Sequence, residues 1–419
     1  MNNNVEDSPV AIVLGGTAPH IALIDNLQQR GYYVILIDYF FCPPAKEFAN
    51  EHVRESTLDR DAVYKVAKER CASVIVSTCL DQPLPVIAEV SKRLGLPYYL
   101  NERTALIVTN KQEMKQIFNK NKIPTAQWRI ISRHNIEEVY SLRFPVVVKQ
   151  ISGTGSLGLV IVQKKQDLAN LLEEPFDKAS NMEVLVEEYY KGRELSADVI
   201  VVNGKSHVLL IRERHRTFLN NGQEVVCHGS VAPIDIPLTV KMSIRRLAQQ
   251  VAIAFSLKNS PVMIQAILTE CNTLCVLEIA ARLGGGMSNI LVCQRKQFDL
   301  LDATVSCSLN EEIQVNINEN NDYYASVFVF ASHGVLDRYS GFENLVEEGF
   351  AEKVNFIRVA GDQFPEHFSV KNRSVEMVVK ASGKEALKRK IGMIFDRIDI
   401  LDTDNTSLMI REIGLHLTL

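Results

Sequence analysis

A glycine-rich segment preceded by a lysine is the clearest sign of chemistry in the chain. Residues 152–158 read SGTGSLG, and Lys149 ends the apolar run Val146–Val148 shortly before them. Strand-like apolar residues lie on both sides, whereas the GxGxxG loop of a dinucleotide-binding fold leads from a strand into a helix. The pattern therefore predicts a hairpin flap whose backbone N–H groups cover nucleotide phosphates. A purely structural hairpin is the alternative, and a kinase is disfavoured because HRD and DFG sequences are absent.

Strand and helix patterns alternate over the first hundred residues. Val10–Leu14, Ala18–Gln29 and Tyr33–Ile37 have the composition of a buried strand, an amphipathic helix and a second buried strand. Such alternation with short connections predicts a parallel, doubly wound sheet. The GGT sequence at residues 15–17 lacks the spacing of a dinucleotide loop, so NAD binding is disfavoured. Ligands of such sheets bind at the carboxyl ends of the strands, here near Gly15–Thr17, Asp38 and Thr78–Asp81.

From about residue 110 the pattern changes to helices mixed with paired strands. The dipeptide Asn203-Gly204 between two apolar runs predicts a two-residue hairpin turn. The main predicted helices are Lys111–Asn121, Lys241–Ala254 and Gly383–Ile398. The main predicted strands are Pro145–Val148, Leu159–Gln163, Val184–Tyr190, Leu195–Val202, Ser206–Arg212, Val262–Thr269 and Leu274–Ala280.

The composition is that of a folded protein of ordinary charge. With 419 residues, 46% of them hydrophobic and 23% charged, the chain is expected to form two to three domains. The net charge of −4 provides no attraction to nucleic acid or to an anionic membrane, and the apolar runs are too short to span a bilayer. Eight scattered cysteines without a CxxC pair predict reduced thiols in a cytoplasmic protein rather than a zinc site. A homodimer is compatible with these features.

Several short motifs occur in a characteristic order, and together they resemble the ATP-grasp superfamily. The motifs are Thr109–Gln112, Val146–Lys149, Val186–Tyr190, Gly192–Glu194 and Leu277–Gly285. Between about Val10 and Ser306 the chain is similar to the ligase domains of carbamoyl phosphate synthetase, D-alanine–D-alanine ligase and L-amino-acid ligases. The resemblance implies an α/β fold of three parts. These are a doubly wound pre-ATP-grasp domain at 1–108, a two-lobed α+β ATP-grasp module at 109–322 (small lobe with the flap 109–185, large lobe 186–322), and a small α+β domain at 323–419.

The resemblance also implies which residues bind ATP. Lys111 and Lys149 would bind the phosphates, and Glu194 would hold the ribose hydroxyls. Glu187 would lie beside the adenine, and backbone atoms of Glu188 and Tyr190 would pair with the base. The flap residues that would cover the phosphates are Gly153, Gly155, Ser156, Leu157 and Gly158.

The metal and catalytic residues implied by the resemblance surround one predicted strand. Glu278 would bridge two Mg²⁺ ions, or Mn²⁺ ions, with Gln265 as its partner on the preceding strand. Arg282 would stabilise negative charge on an acyl phosphate, together with Lys149. The family usually has asparagine where this chain has Ala280, and because a methyl group cannot bind a metal, the second metal site is expected to lack a ligand.

The implied activity is an ATP- and Mg²⁺-dependent ligase acting on a small-molecule carboxylate and an amine. The carboxylate would accept the γ-phosphate, and the amine would then attack the acyl phosphate to give an amide or dipeptide, ADP and phosphate. A carboxylase is one alternative, and a nucleotide-binding module without catalysis, suggested by Ala280, is another. Two roles, a substrate pocket and an exposed charged turn, stay open for Arg212, Arg214, His215 and Arg216 and for the range His228–Pro233.

Overall fold

The computed structural model describes residues 8–132, 134–151, 159–168, 183–219 and 224–415, and begins with a parallel sheet of order β3-β2-β1-β4. Helix α1 packs on the face of this sheet that carries Val13, and helices α2 and α3 pack on the face that carries Ile12. The predicted doubly wound sheet is therefore confirmed. Its strands are β1 (Val10–Leu14), β2 (Tyr33–Ile37), β3 (Glu51–Val53) and β4 (Ala72–Val76), and the helices are α1 (Ala18–Gln29), α2 (Arg60–Glu69) and α3 (Leu84–Leu94).

Two short helices and a small antiparallel sheet follow. Asn110 separates the helices and caps the second one, because its side-chain oxygen accepts a hydrogen bond from the N–H of Glu113 at 3.1 Å. Lys111 is therefore the first residue of that helix. The sheet has the order β5-β8-β6-β7. The elements are α4 (Glu102–Thr109), α5 (Lys111–Lys120), β5 (Trp128–Ile131), β6 (Val146–Gln150), β7 (Val160–Val162) and β8 (Val184–Glu188).

The strands on either side of the glycine-rich segment form an antiparallel pair. Val148 of β6 lies opposite Val160 of β7, so the prediction of a strand on each side is confirmed. The flap itself, residues 152–158, lies outside the described residues.

An antiparallel sheet of eight strands forms the largest element, in the order β13-β12-β9-β10-β11-β14-β19-β17. It continues without a break across residue 323, since Ser230 of β11 pairs with Ser326 of β14. Asn203 and Gly204 both have positive φ, at 51° and 77°, as the predicted hairpin turn requires. The strands are β9 (Arg193–Val202), β10 (Lys205–Leu219), β11 (Glu224–Ala232), β12 (Ser260–Leu268), β13 (Leu274–Ala280), β14 (Tyr323–Phe330), β17 (Lys353–Phe356) and β19 (Arg373–Ala381).

Helices cover both faces of the large sheet. The helix α6 (Leu238–Ala254) shares a core with Leu195 and Val199 of β9, while Tyr324 of β14 packs in a second core with residues of α1 and of the helices after β13. In the described part of the chain, no helix is long and apolar enough to cross a membrane. The remaining elements are α7 (Ser288–Lys296), α8 (Leu300–Leu309), α9 (Lys384–Arg397), α10 (Arg411–Leu415), β15 (Gly334–Val335), β16 (Arg338–Ser340), β18 (Gln363–Phe364) and β20 (Asp399–Leu401).

Strand β10 differs from the sequence-based expectation. The predicted strand ended at Arg212, with an exposed charged turn as one alternative for the residues that follow, but β10 continues to Leu219. Arg212 and His215 are buried, and Arg214 lies opposite Glu194 of β9. The alternative of an exposed turn is therefore wrong. In the sequence the run of charged residues resembles a solvated segment, but in the fold carboxylates on the neighbouring strand neutralise the arginines.

Candidate functional site

Three elements bring two lysines onto one carboxylate. Glu187 of β8 is 2% exposed, and its two carboxylate oxygens pair separately with Lys115 of α5 and Lys149 of β6. Lys115 is also 2% exposed and Lys149 is 14% exposed. Strands β6 and β8 are neighbours in the sheet, so the hydrogen bonds between them fix the positions of Lys149 and Glu187 relative to each other. We refer to Lys115, Glu187 and Lys149 as the buried trio.

The charges of the buried trio determine how its members ionise. Burial would raise the pKa of Glu187, but the two ammonium groups outweigh burial and lower this pKa to about 2. For Lys149, burial lowers the pKa and Glu187 raises it by more, so that the net pKa is raised. For Lys115, burial outweighs Glu187 and the pKa is lowered. Glu187 is therefore ionised at neutral pH.

Lys111 lies near the buried trio, at the start of α5. Its backbone N–H donates to the carbonyl oxygen of Ile151 at 3.4 Å, which ties the helix to the end of β6. Burial lowers the pKa of Lys111, while the nearby Glu278 raises it in part and Lys149 lowers it further. The charges of Lys149 and Glu278 thus both act on the ammonium group of Lys111.

The predicted adenine residues lie where β8 ends. The backbone N–H of Glu188 donates to the carbonyl oxygen of Gln127 at 2.9 Å, and its carboxylate accepts from the backbone N–H of Arg143 at 3.0 Å. The Tyr190 ring packs beside an apolar cluster that contains Ala126, Ile267 and Cys275. An apolar surface next to backbone polar groups suits a flat heterocyclic base.

Glu278 and Gln265 fit one divalent cation better than two. They lie opposite each other in the ladder of β12 and β13. The amide nitrogen of Gln265 lies 3.7 Å from Met263 Sδ, which leaves the amide oxygen as the atom suited to a cation. Ala280 lies opposite Met263, so neither side chain of this ladder pair offers an oxygen ligand to a second hard cation. Within the described residues, no cluster of three or more His, Cys, Asp or Glu side chains could hold a metal ion.

Arg282 is held by a carboxylate from the loop between β4 and α3. Its Nε and one terminal nitrogen donate to the two oxygens of Asp81, each at 2.8 Å, and the other terminal nitrogen donates to the carbonyl oxygen of Leu283 at 2.9 Å. Burial would lower the pKa of Arg282, but Asp81 outweighs burial and raises it. The planar fork is therefore fixed in one orientation.

The glycines after Arg282 allow two close approaches. Gly286 has φ +66°, and a Cβ there would lie 2.8 Å from the ring of Phe328 on β14. A Cβ at Gly284 would lie 2.9 Å from a carboxylate oxygen of Asp198 on β9. Only glycine fits both positions without movement of the neighbours. Residues from beyond position 323 thus reach the loop that follows Arg282.

The large sheet carries further arginine–carboxylate pairs on β9 and β10. Arg212 donates from Nε to Asp198 at 2.7 Å and from a terminal nitrogen to Ser230 Oγ at 3.1 Å. Glu194, the predicted ribose ligand, lies 2.7 Å from Nε of Arg216 and 3.3 Å from Nε of Arg214. The carboxylate that was predicted to hold the ribose is thus itself oriented by two guanidinium groups.

Two residues of the site were missed by the sequence reasoning. Lys115 follows Lys111 by four positions, the spacing that puts two side chains on one face of a helix, and this signal was present in the sequence. Asp81 lies in the segment expected at the carboxyl edge of the N-terminal sheet, but its pairing with Arg282, 201 positions away, has no local sequence signal.

Asp38 has a structural role at the same edge. Its carboxylate accepts from the backbone N–H of Gly16 at 2.7 Å and from that of Phe40 at 2.9 Å. A Cβ at Gly16 would lie 2.5 Å from Pro43, so this loop is closely packed. These contacts tie the loop after β1 to the end of β2.

Comparison with known proteins identifies the domain around this site. Residues 108–286 match the family model described as the ATP-grasp domain. D-alanine–D-alanine ligase A of Bacillus cereus is 30% identical over 158 residues, which cover 36% of this chain and 51% of the relative. The L-arginine-specific L-amino acid ligase of Bacillus subtilis is 24% identical over 223 residues, 51% of this chain and 53% of the relative. The matched segments thus span about half the length of these two curated relatives.

The fold as a whole has a counterpart among solved structures. The crystal structure of an L-amino acid ligase from Bacillus licheniformis superimposes with a TM-score of 0.80 and 17% identity. The superposition covers 94% of this chain and 99% of that protein. At this level of identity the likeness establishes the fold.

Proposed function

Since the chain contains an ATP-grasp domain, we propose that it is an ATP-dependent carboxylate–amine ligase that works through an acyl phosphate. The observation that carries the proposal is the buried trio within the segment that matches the ATP-grasp domain, where two lysines share one carboxylate. An excess of ammonium groups over carboxylates suits the phosphates of a nucleotide triphosphate. The names of the relatives, D-alanine–D-alanine ligase and L-amino acid ligase, support a ligase.

We assign the three parts of the chain as the sequence suggests. Residues 1–108 form the pre-ATP-grasp domain, residues 109–322 the two-lobed ATP-grasp module, and residues 323–419 a C-terminal domain. The large sheet is continuous across residue 323, so the C-terminal part shares its main sheet with the large lobe. The contact of Phe328 with the Gly286 region supports a role for that part beside the substrate.

The nucleotide lies between the two lobes in this proposal. Lys111 and Lys149 bind its phosphates, and the base lies against Tyr190 with Glu188 beside it. Glu194 holds the ribose hydroxyls. Glu187 acts next to the adenine mainly by orienting Lys149, since both of its oxygens are paired with lysines. The glycines of residues 152–158 would cover the phosphates, a role predicted from the sequence alone.

A single Mg²⁺ or Mn²⁺ ion is the metal that the donor atoms suit. Glu278 and Gln265 would hold it, with nucleotide phosphate oxygens completing its ligands. When bound, the ion would neutralise charge on the transferred phosphoryl group. The remaining positive charge at the site comes from the lysines, while Arg282 is paired with Asp81.

The reaction then has two steps. A carboxylate oxygen of the acid attacks the γ-phosphorus and ADP leaves, while Lys149 offsets the charge that develops on the phosphoryl oxygens. The amine nitrogen next attacks the acyl carbon, phosphate leaves, and the nitrogen loses a proton to give the amide. Arg282, fixed by Asp81, stabilises the negative charge on the acyl phosphate and on the tetrahedral intermediate.

Phosphate release in a matrix of acids and amines tests this proposal. Amino acids and sugar acids are supplied with Mg²⁺ and ATP, first singly and then in pairs, and the products are identified by mass spectrometry. We expect release that requires both an acid and an amine and yields their amide. Release that depends on bicarbonate would favour a carboxylase. Tight ATP binding with no release in any pair would favour a nucleotide-binding module, the alternative to which Ala280 points.

A further inference from the structure

Lys115 is a fully buried cation that none of the proposed steps uses. Its ammonium group pairs with Glu187, donates to Thr125 Oγ1 at 2.6 Å and lies 3.4 Å from the carbonyl oxygen of Val276. An ammonium group has three N–H donors, and these three acceptors match them. The ammonium group of Lys115 is therefore engaged by acceptors within the protein.

The pairing of Glu187 with two lysines leaves the buried trio with an excess of positive charge. One carboxylate faces two ammonium groups, so that the trio carries a net charge of about +1 when all three groups are ionised. Without Lys115, Glu187 and Lys149 would form a neutral pair. A polyphosphate binds much more strongly to an unbalanced ammonium group than to a neutral ion pair in a weakly solvated site.

We propose that Lys115 is a positioning residue that neutralises Glu187 and thereby keeps the charge of Lys149 available to the nucleotide. The inference rests on the proposed role of Lys149 in phosphate binding. Glu187 orients Lys149 through one oxygen, and Lys115 holds the other oxygen, so the ammonium group of Lys149 is fixed in place without being cancelled. Lys115 lies on α5 one turn after Lys111, so a single helix supplies one lysine to the phosphates and one to the support behind them.

A purely structural role is the competing explanation. In that case Lys115 would only tie α5 to Thr125 and to the backbone of β13, and its removal would lower stability without a specific effect on ATP. The two roles differ in what happens when Glu187 loses its charge as well. If Lys115 works through charge, neutralising Glu187 compensates for its loss, whereas a lost structural tie is not restored.

The test compares ATP affinity in single and double variants by isothermal titration calorimetry with Mg²⁺ present. In Lys115→Met the flexible side chain is kept and the charge is removed, and we expect the Kd for ATP to rise about tenfold or more. In Lys115→Met/Glu187→Gln the trio again carries one positive charge on Lys149, and we expect a Kd within about threefold of the wild type. Lys120→Met, an exposed position on the same helix, is the matched control and is expected to bind ATP as the wild type does.

Two results would overturn the proposal. One is wild-type ATP affinity in a folded Lys115→Met variant, and the other is a folded double variant that binds ATP no better than the single variant. If Lys115→Met does not fold, the double variant decides, since near-wild-type affinity there supports the charge argument and weak affinity contradicts it. The titration measures ATP binding with Mg²⁺ and needs no acid or amine. If the variants show the expected ATP affinities but the wild type joins no acid to an amine, the proposed ligase activity is contradicted and the proposed role of Lys115 is not.

Discussion

Two regions of the molecule hold buried charge in different ways. Around α5 and the sheet formed by β5 to β8, a single carboxylate, Glu187, is shared by two lysines, and Lys111 adds a third ammonium group nearby. On the side of the large sheet, Asp81 holds one arginine, Arg282, with both carboxylate oxygens. Arg212 and Asp198 form a second pair of this kind.

The difference corresponds to what each region is proposed to bind. Lysine presents a compact charge, and an excess of lysines over carboxylates leaves positive charge for a polyphosphate. An arginine paired through two N–H groups is close to neutral as a pair but is fixed in direction, which suits the placement of donors around a reacting carboxyl group. In the proposed function, one region would thus supply charge and the other would fix the orientation of a donor.

The largest expected effect is the loss of Lys149. In Lys149→Met the phosphate region loses its positive end, so we expect ATP affinity to fall about a hundredfold and turnover to disappear. The thermal unfolding temperature without ligand should change little, because Glu187 keeps Lys115 as a partner. Calorimetric titration and a thermal melt measure both quantities, with the exposed Lys164→Met of the same lobe as the control. Unchanged ATP affinity would remove Lys149 from the site.

Glu278→Gln tests whether Glu278 binds the divalent cation. Replacing the carboxylate by an amide keeps the shape and removes one charge, so we expect the Mg²⁺ concentration for half-maximal activity to rise about tenfold or more. Activity is measured over a Mg²⁺ and a Mn²⁺ titration. An unaltered metal requirement would show that Glu278 is not a ligand.

Ala280→Asn is the counterpart of that variant. It adds an amide oxygen on the same side of β13, and we expect a tighter, severalfold lower Mg²⁺ requirement in an active ligase. Weaker metal binding than in the wild type would argue that Met263 and Ala280 already form a closed apolar position.

Asp81→Asn separates orientation from charge supply. The amide cannot accept two hydrogen bonds from Arg282 as a carboxylate does, so we expect kcat to fall about tenfold while ATP affinity stays within about twofold of the wild type. Steady-state kinetics and ATP titration measure the two quantities. A loss of ATP affinity equal to the loss of kcat would instead assign the Asp81–Arg282 pair to nucleotide binding.

The smallest expected effect concerns stability at acid pH. The pKa of Glu187 is lowered from 4.5 to about 2 in the folded chain, so its ionised form stabilises the fold above about pH 4.5. That contribution is lost as the pH falls from about 4.5 towards 2. Glu187→Gln should therefore make the unfolding free energy less dependent on pH in this window, as measured by urea unfolding at several pH values. An identical pH dependence in the two proteins would contradict the lowered pKa.

Local patterns in the sequence were sufficient to predict most helices and strands near the site. The bounds of β1, α1, β2 and β13 agree with the prediction residue by residue, because strong apolar periodicity and adjacent turn residues are local signals. The order of short motifs was sufficient to predict the ATP-grasp domain, and the match of residues 108–286 to the family model supports that prediction. The roles of Lys111, Lys149, Glu278 and Arg282 stay predictions that rest on the residue types and the order of the motifs.

Tertiary structure decided which charges pair and which are left for a ligand. The sequence shows Lys115 as one more lysine on a helix and Arg214 as part of a charged run, while the fold buries the first against Glu187 and pairs the second with Glu194. Asp81 reaches Arg282 only because the N-terminal sheet packs beside the loop after β13. Such pairs join positions far apart in the chain, and since the free energy of a buried charge depends on its partner, no local pattern can predict them.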